Sequence, residues 1–135
     1  MKLIQLAKQL AAAAESAAEA NNLSVTTCIV DQHGNVVMKQ RMDGAILISI
    51  EMSERKAYTS AALRMRTAEM TALAQPGNPL FLLPSAAGGR YTALGGGVPI
   101  WIQGECVAGL GISGGTTEQD VEIAEAAVST LIHTQ

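Results

Sequence analysis

The sequence predicts an α+β domain in which helices pack on one antiparallel sheet of about five strands. Apolar residues recur at helical spacing along residues 2–21, which predicts an amphipathic first helix. Two β-branched runs then flank a short polar loop at 32–35, and two apolar runs between 91 and 115 are joined by Gln103–Cys106. Because strands joined by such short loops pair in antiparallel fashion, both pairs are predicted hairpins.

Turn signals divide the middle of the chain. A second helix is predicted over 46–66, and a short third helix over 67–74, capped by Thr67 and ended by the turn at 75–79. Residues 80–89 have no clear periodicity, so we expect an irregular segment that covers the core or lines a site. A further strand is predicted to lead into the three glycines at 95–97.

The last helix follows a second glycine cluster, Gly114-Gly115. Thr117 and Asp120 have the spacing of a capping box at its start. A glycine-rich turn into a helix can also bind phosphate, but Glu118 and Asp120 would repel an anion there. The sequence therefore favours a helix cap over a phosphate site at this loop.

Length and composition restrict the class of protein. The chain has 135 residues, so we expect a single domain over 1–135. Charged residues make up only 16% of it, which suggests that other copies cover part of its surface as a homo-oligomer. The net charge of -3 argues against a nucleic-acid partner. No apolar run approaches the roughly 20 residues that span a bilayer, so the sequence predicts no membrane partner and a cytoplasmic location.

Cysteine and histidine are too few for an all-protein metal cage. Cys28 and Cys106 fall in predicted strands and are expected to be buried thiols that behave as small hydrophobic side chains. The spacings typical of metal ligands are absent. His33 lies in the first hairpin loop, where it is either a solvated turn residue or a ligand or acid-base group whose partner the sequence does not identify.

Lys56 stands out on the second helix. Its neighbours at helical spacing include Met52, Ser53, Thr59 and Ser60, a face of small and apolar residues. The side chain either extends past them to solvent or serves a pocket that holds an anion. The small residues around it also indicate that something packs very close to this helix.

The three glycines at 95–97 suggest a candidate ligand site. Glycine allows another group to approach the backbone closely, and this cluster has no evident role as a cap. A cleft between these glycines and the second helix would face Lys56, with Arg90 as a second cation. The candidate ligand-binding residues are Lys56, Met52, Arg90, Gly95, Gly96, Gly97, Phe81 and Ser113.

Five segments in this order resemble the GlcG/HbpS family, also called the haem-degrading domain family. They are Arg41–Ala45, Lys56–Ala61, Gln75–Gly77, Gly95–Ile100 and Gly109–Gly115 with Gln119-Asp120. The resemblance covers nearly the whole chain. The residues of these segments are most similar to those of free-standing relatives of the C-terminal domain of PduO-type cobalamin adenosyltransferases, which occur with diol and glycerol dehydratases.

The resemblance implies a profilin-like fold that assembles into dimers and larger rings, often octamers. It also implies haem or another tetrapyrrole as a ligand, and an axial imidazole would then come from His33 or His133. The first functional hypothesis is a small-molecule binding protein, accessory to a dehydratase, cobalamin or glycolate-type system. Two alternatives are an enzyme for haem degradation or cobalamin reactivation, and a structural oligomer subunit without a ligand.

Overall fold

A computed structural model describes residues 1–132 of the chain. Four α-helices, one short 3-10 segment and four strands follow one another along it. In chain order they are α1 (Leu3–Ala20), β1 (Thr26–Asp31), β2 (Val36–Arg41), α2 (Ile48–Leu63), α3 (Thr67–Leu73), the 3-10 segment (Leu83–Gly88), β3 (Gly97–Ile102), β4 (Glu105–Ser113) and α4 (Thr117–Ile132).

The sheet is antiparallel and has the strand order β2-β1-β4-β3. The α+β class is confirmed, but the described residues form a four-stranded sheet, so the expectation of about five strands is wrong. The missing strand is the one expected before the three glycines. There the Thr92 N–H donates to Thr59 Oγ1 at 3.0 Å, and the Ala93 carbonyl accepts from Thr71 Oγ1 at 2.6 Å. These backbone groups bond to side chains rather than to a neighbouring strand.

Both predicted hairpins are present. Residues 32–35 connect β1 to β2, and only Gln103 and Gly104 connect β3 to β4. The φ angles of these two residues are 50° and 83°, as a two-residue turn between twisted strands requires. Because β1 and β4 are antiparallel neighbours, both turns lie at the same end of the sheet.

The larger core lies between one face of the sheet and the helices α1 and α4. Alternate residues of the central strands, including Ile29, Leu110 and Ile112, point into it and are fully buried. On α1 and α4 the small and apolar face predicted by the periodicity packs against them. The buried helical residues of this core are Leu6, Ala7, Leu10, Ala11, Ala14, Ala18, Ile123, Ala124, Ala127 and Leu131.

The opposite face of the sheet carries α2 at very short range. Gly109 and Gly111 of β4 lie against this helix, and a Cβ atom on either would overlap a carbonyl oxygen of Ala57 or Ser53. The small side chains around Lys56 therefore face β4. Cys28 is fully buried on this side, where desolvation raises the pKa of its thiol to about 12. Cys106 is also buried and free, so both cysteines are buried thiols as expected.

Two predicted helix caps are displaced in the structure. The residue before α3 is Arg66, and the Thr67 hydroxyl instead accepts a hydrogen bond from the Gly97 N–H at 2.8 Å. At α4 the reciprocal capping bonds join Thr116 and Gln119, at 2.9 and 3.2 Å, rather than Thr117 and Asp120. Asp120 is thereby available for another contact. No helix within residues 1–132 has the length and apolar character needed to cross a membrane.

Candidate functional site

The Lys56 side chain does not extend to solvent, and it has a charged partner within the chain. Its Nζ donates to the Ile112 carbonyl at 2.9 Å and lies 3.0 Å from Asp120 Oδ2. Both charged side chains are only 3% exposed. The other Asp120 oxygen, Oδ1, accepts the Gly115 N–H at 2.9 Å. The ion pair thus ties α2 to the end of β4 and the start of α4.

Burial dominates the electrostatics of this pair. Desolvation lowers the pKa of the Lys56 ammonium, although the Asp120 charge opposes the change. Desolvation also raises the pKa of Asp120, against the effects of Lys56 and the Gly115 N–H. Each group therefore depends on its partner to stay charged, and an anion-binding role for Lys56 stays a prediction.

The three glycines at 95–97 have a structural explanation that the sequence did not reveal. A Cβ at Gly96, where φ is 126°, would lie 2.7 Å from the Ile112 carbonyl oxygen and 3.0 Å from Lys56 Nζ. A Cβ at Gly95 would lie 2.8 Å from the Val121 side chain. The space beside these glycines is filled by α2, β4 and α4. We call this region, formed by 95–97, 112–115, Lys56 and Asp120, the closed end of the sheet.

The remaining candidate residues do not gather around Lys56. Ser113 is buried at the closed end, but Met52 lies half-buried on α2. The Arg90 guanidinium stacks 3.9 Å from the centre of the Tyr58 ring, and Phe81 is 47% exposed just before the 3-10 segment. A ligand-binding role for these residues stays a prediction.

An open groove lies at the other end of the sheet, where both hairpin turns meet the first turn of α1 and the last turn of α4. Its volume is about 800 Å³, against about 470 and 370 Å³ for two smaller depressions beside α1 and β2. We call it the hairpin groove. It is lined by Met1, Leu3, Leu6, Asp31, Gln32, His33, Ile102, Gln103, Glu105, Val107 and Leu131.

The hairpin groove has an apolar floor and a polar rim. Leu6 and Leu131 are buried within it, and half-buried apolar residues extend the floor. The rim comes from the two turns and includes the acidic residues Asp31 and Glu105 as well as His33. None of the eight candidate ligand-binding residues lines this groove. Sequence reasoning found His33 and both turns, but it missed that they converge on one cavity.

Asp31 organises the rim. Its Oδ1 accepts the backbone N–H groups of His33 at 2.9 Å and Asn35 at 3.0 Å. The Asn35 and His33 N–H groups stabilise the carboxylate, and they hold the pKa of Asp31 below its ordinary value. The turn that presents His33 is therefore held by an ionised side chain within it.

Comparison with known proteins places the chain in a family. The family profile described as "Haem degrading protein HbpS-like" matches residues 4–129. The chain belongs to the HbpS-like family. This confirms the resemblance inferred from the five sequence segments.

Named relatives of this HbpS-like chain extend the comparison. It is 41% identical over 123 residues to the corrinoid adenosyltransferase PduO of Citrobacter freundii, covering 91% of the chain but only 37% of PduO. The chain thus spans little more than a third of that relative. It is 32% identical over 109 residues to protein GlcG of Escherichia coli K12, covering 81% of the chain and 78% of GlcG.

A solved structure described as the PduOC:heme complex has the same fold. It superimposes with a TM-score of 0.91 and 37% identity, covering 96% of this chain and 93% of that one. That HbpS-like relative was therefore crystallised with haem. The observation concerns the relative, and for the present chain it supplies a hypothesis about the ligand.

Proposed function

We propose that this protein binds a tetrapyrrole such as haem in the hairpin groove, as an accessory protein rather than as the catalyst of a dehydratase, cobalamin or glycolate-type system. The observation that carries the proposal is the volume of about 800 Å³ above an apolar floor. Ligand sites of small molecules have volumes of roughly 300–1,000 Å³ and mostly apolar walls. The haem complex of a relative with the same fold supports the choice of ligand.

The charges of the groove favour one orientation of such a ligand. Asp31 and Glu105 line the rim, and no lysine or arginine is among the lining residues. Carboxylates of a ligand would be repelled there, so the ligand places its apolar ring on the floor and its acidic groups in solvent. This differs from the expectation that Lys56 and Arg90 meet those acidic groups. Bound haem supplies a redox-active iron.

Titration with haemin, metal-free protoporphyrin IX and cobalamin, followed by absorbance, tests the proposal. Leu3 lines the floor at the start of α1, whereas the next residue, Ile4, is 42% exposed and lies outside the groove. Leu3→Glu should weaken binding at least about tenfold, because it places a charge under the apolar ring. Ile4→Glu adds the same charge to the same helical turn and should leave binding unchanged.

Two results would contradict the proposal. One is the absence of a saturable spectral change with any of the three pigments. The other is equal weakening by Leu3→Glu and Ile4→Glu, since the effect would then come from charge alone. If bound haem saturates the protein and its absorbance then disappears when a reductant is added, the alternative of a haem-degrading enzyme would be favoured.

We also propose that the protein acts as a homo-oligomer. Ile46, Leu47 and Ile48, at the start of α2, are 58%, 81% and 60% exposed. Three consecutive apolar residues with this exposure favour a covered surface. Native mass spectrometry of the purified protein reports the oligomer mass and any retained pigment together. A mass of one chain at micromolar concentration would contradict self-association.

A further inference from the structure

We propose that Tyr58 couples the hairpin groove to the segment 80–91, so that a ligand in the groove and the attachment of this segment to α2 stabilise each other. We call residues 80–91 the strap. The inference deepens the proposed function, on which its ligand rests, because it gives the groove a regulatory element on the opposite face of the sheet.

The strap has little burial of its own. None of the residues of its 3-10 segment, Leu83–Gly88, is buried. Three consecutive residues then have positive φ angles, 51° at Ala87, 69° at Gly88 and 81° at Gly89. This left-handed conformation is unfavourable for alanine because of its Cβ atom. A segment with few buried groups and a strained backbone opens more readily than the core does.

Contacts with α2 hold the strap in place. The Arg55 guanidinium donates a hydrogen bond to the Gly89 carbonyl. The Arg90 guanidinium stacks 3.9 Å from the centre of the Tyr58 ring. The Tyr91 ring packs on the same tyrosine, with 5.6 Å between the ring centres. Tyr58 is therefore the side chain on which the last residues of the strap rest.

The same Tyr58 ring supports the turn 32–35 at the groove. Gly34 has a φ of +86°, and a Cβ there would come within 2.5 Å of the ring. The preceding residue, His33, lines the groove, whereas His133 lies outside the described residues. The turn thus lies between the groove on one side and Tyr58 on the other.

Hydrogen bonds make this turn move as a unit. Asp31 Oδ1 accepts the backbone N–H groups of His33 and Asn35, and the Asp31 N–H donates to the Asn35 carbonyl at 2.8 Å. The Gly34 N–H donates to the Asp31 carbonyl at 3.0 Å. A displacement on the groove side is therefore passed to Tyr58 rather than absorbed within the turn. By linkage, a ligand that fixes the turn favours the attached strap, and an attached strap raises the affinity for the ligand.

Trypsin cleavage after Arg90 measures release of the strap, because proteolysis follows the population of the open form when opening is fast. Gly34→Ala drives a Cβ into the Tyr58 ring and should raise this cleavage at least about fivefold relative to cleavage after Arg66, which corrects for global unfolding. Gly104→Ala is the matched control. It adds a Cβ at a similar φ of +83° in the other turn, where the Cβ would meet no other atom within 4 Å. It should leave the ratio unchanged.

Pigment binding tests the coupling in the other direction. Saturating protoporphyrin IX should slow cleavage after Arg90 at least about fivefold in the wild type. Tyr58→Phe keeps the ring and should retain this protection. Tyr58→Ala should bind the pigment, which shows that the variant is folded, but should lose the protection.

The outcomes separate the coupling from the proposed function. Equal cleavage ratios in Gly34→Ala and Gly104→Ala overturn the coupling. A pigment that binds the wild type without slowing cleavage, or protection that persists in Tyr58→Ala, also overturns it, and the proposed function remains intact. If the wild type binds no pigment, the proposed function fails, and the two glycine variants still decide whether the turn and the strap are coupled.

Discussion

The two ends of the sheet differ in how closely the helices pack beside them. At the closed end, glycines bring the backbone against α2, and the Lys56–Asp120 pair is buried beside them. At the other end, the hairpin turns and the ends of α1 and α4 leave a groove of about 800 Å³. Both ends carry the residue types usually associated with ligand sites. The second carries a groove of ligand size.

This contrast shows how a structural ion pair can resemble a binding site in sequence. A lysine among small residues and a run of glycines both suggest a pocket for an anion. Here the glycines accommodate a helix, and Lys56 has an anionic partner, Asp120, within the same chain. Polar groups whose partners lie within the protein are poor indicators of binding.

Removing Lys56 should have the largest effect on stability and should distinguish the two ends. Lys56→Met leaves the Asp120 carboxylate buried without its partner, and breaking a buried pair in this way costs about 3–5 kcal/mol. Denaturant unfolding measures the loss. Binding of protoporphyrin IX in the hairpin groove should persist at temperatures where the variant is folded.

The double variant Lys56→Met with Asp120→Asn is the matched control. It removes both charges, so much of the stability lost in the single variant should return. A cost below about 1 kcal/mol for Lys56→Met alone would show that the pair does not hold the closed end together. Loss of pigment binding in the folded single variant would instead return Lys56 to the candidate binding residues.

Local patterns in the sequence predicted most of the secondary structure. The first helix, both hairpins and the last helix depend on periodicity and turn residues that lie close together in the chain. The prediction of a fifth strand was wrong because the backbone of that segment bonds to the side chains of Thr59 and Thr71, which lie on other elements. Such long-range side-chain partners leave no local pattern.

The candidate site was harder to predict for the same reason. Lys56 and Asp120 are 64 positions apart, and nothing near either residue indicates the other. The alternation of Gly109 and Gly111 on one face of β4 was a readable signal of close helix packing, since residues two apart share a face. Convergence of the 32–35 and 103–104 turns was also implied by an antiparallel sheet, but only if β1 and β4 are neighbours.

A substitution in β4 tests the close packing between α2 and the sheet with an intermediate effect. Gly111→Ala places a Cβ against the Ser53 carbonyl and should destabilise the fold by about 1–3 kcal/mol, because α2 must move away from the sheet. Thermal unfolding measures the loss. The control is Gly104→Asn in the two-residue turn, where an added Cβ would meet no other atom within 4 Å and asparagine tolerates positive φ. Equal losses in both variants would contradict the proposed difference between the two regions.

The smallest effect is expected at the rim of the groove, where Asp31 holds the turn of His33. Asp31→Asn removes the charge but keeps an acceptor, so at pH 7 the loss should be at most about 1 kcal/mol. The folded-state pKa of Asp31 is lowered from its ordinary value of 3.8. Stability from the carboxylate is therefore fully present above pH 3.8 and is lost as the pH falls through the lowered pKa.

Urea unfolding of the wild type and Asp31→Asn at several pH values measures this dependence as the difference between the two proteins. Asp43→Asn, at an exposed aspartate, corrects for the general loss of one negative charge. The difference due to Asp31 should shrink toward zero at acid pH, and a difference that grows there would contradict the role of its charge.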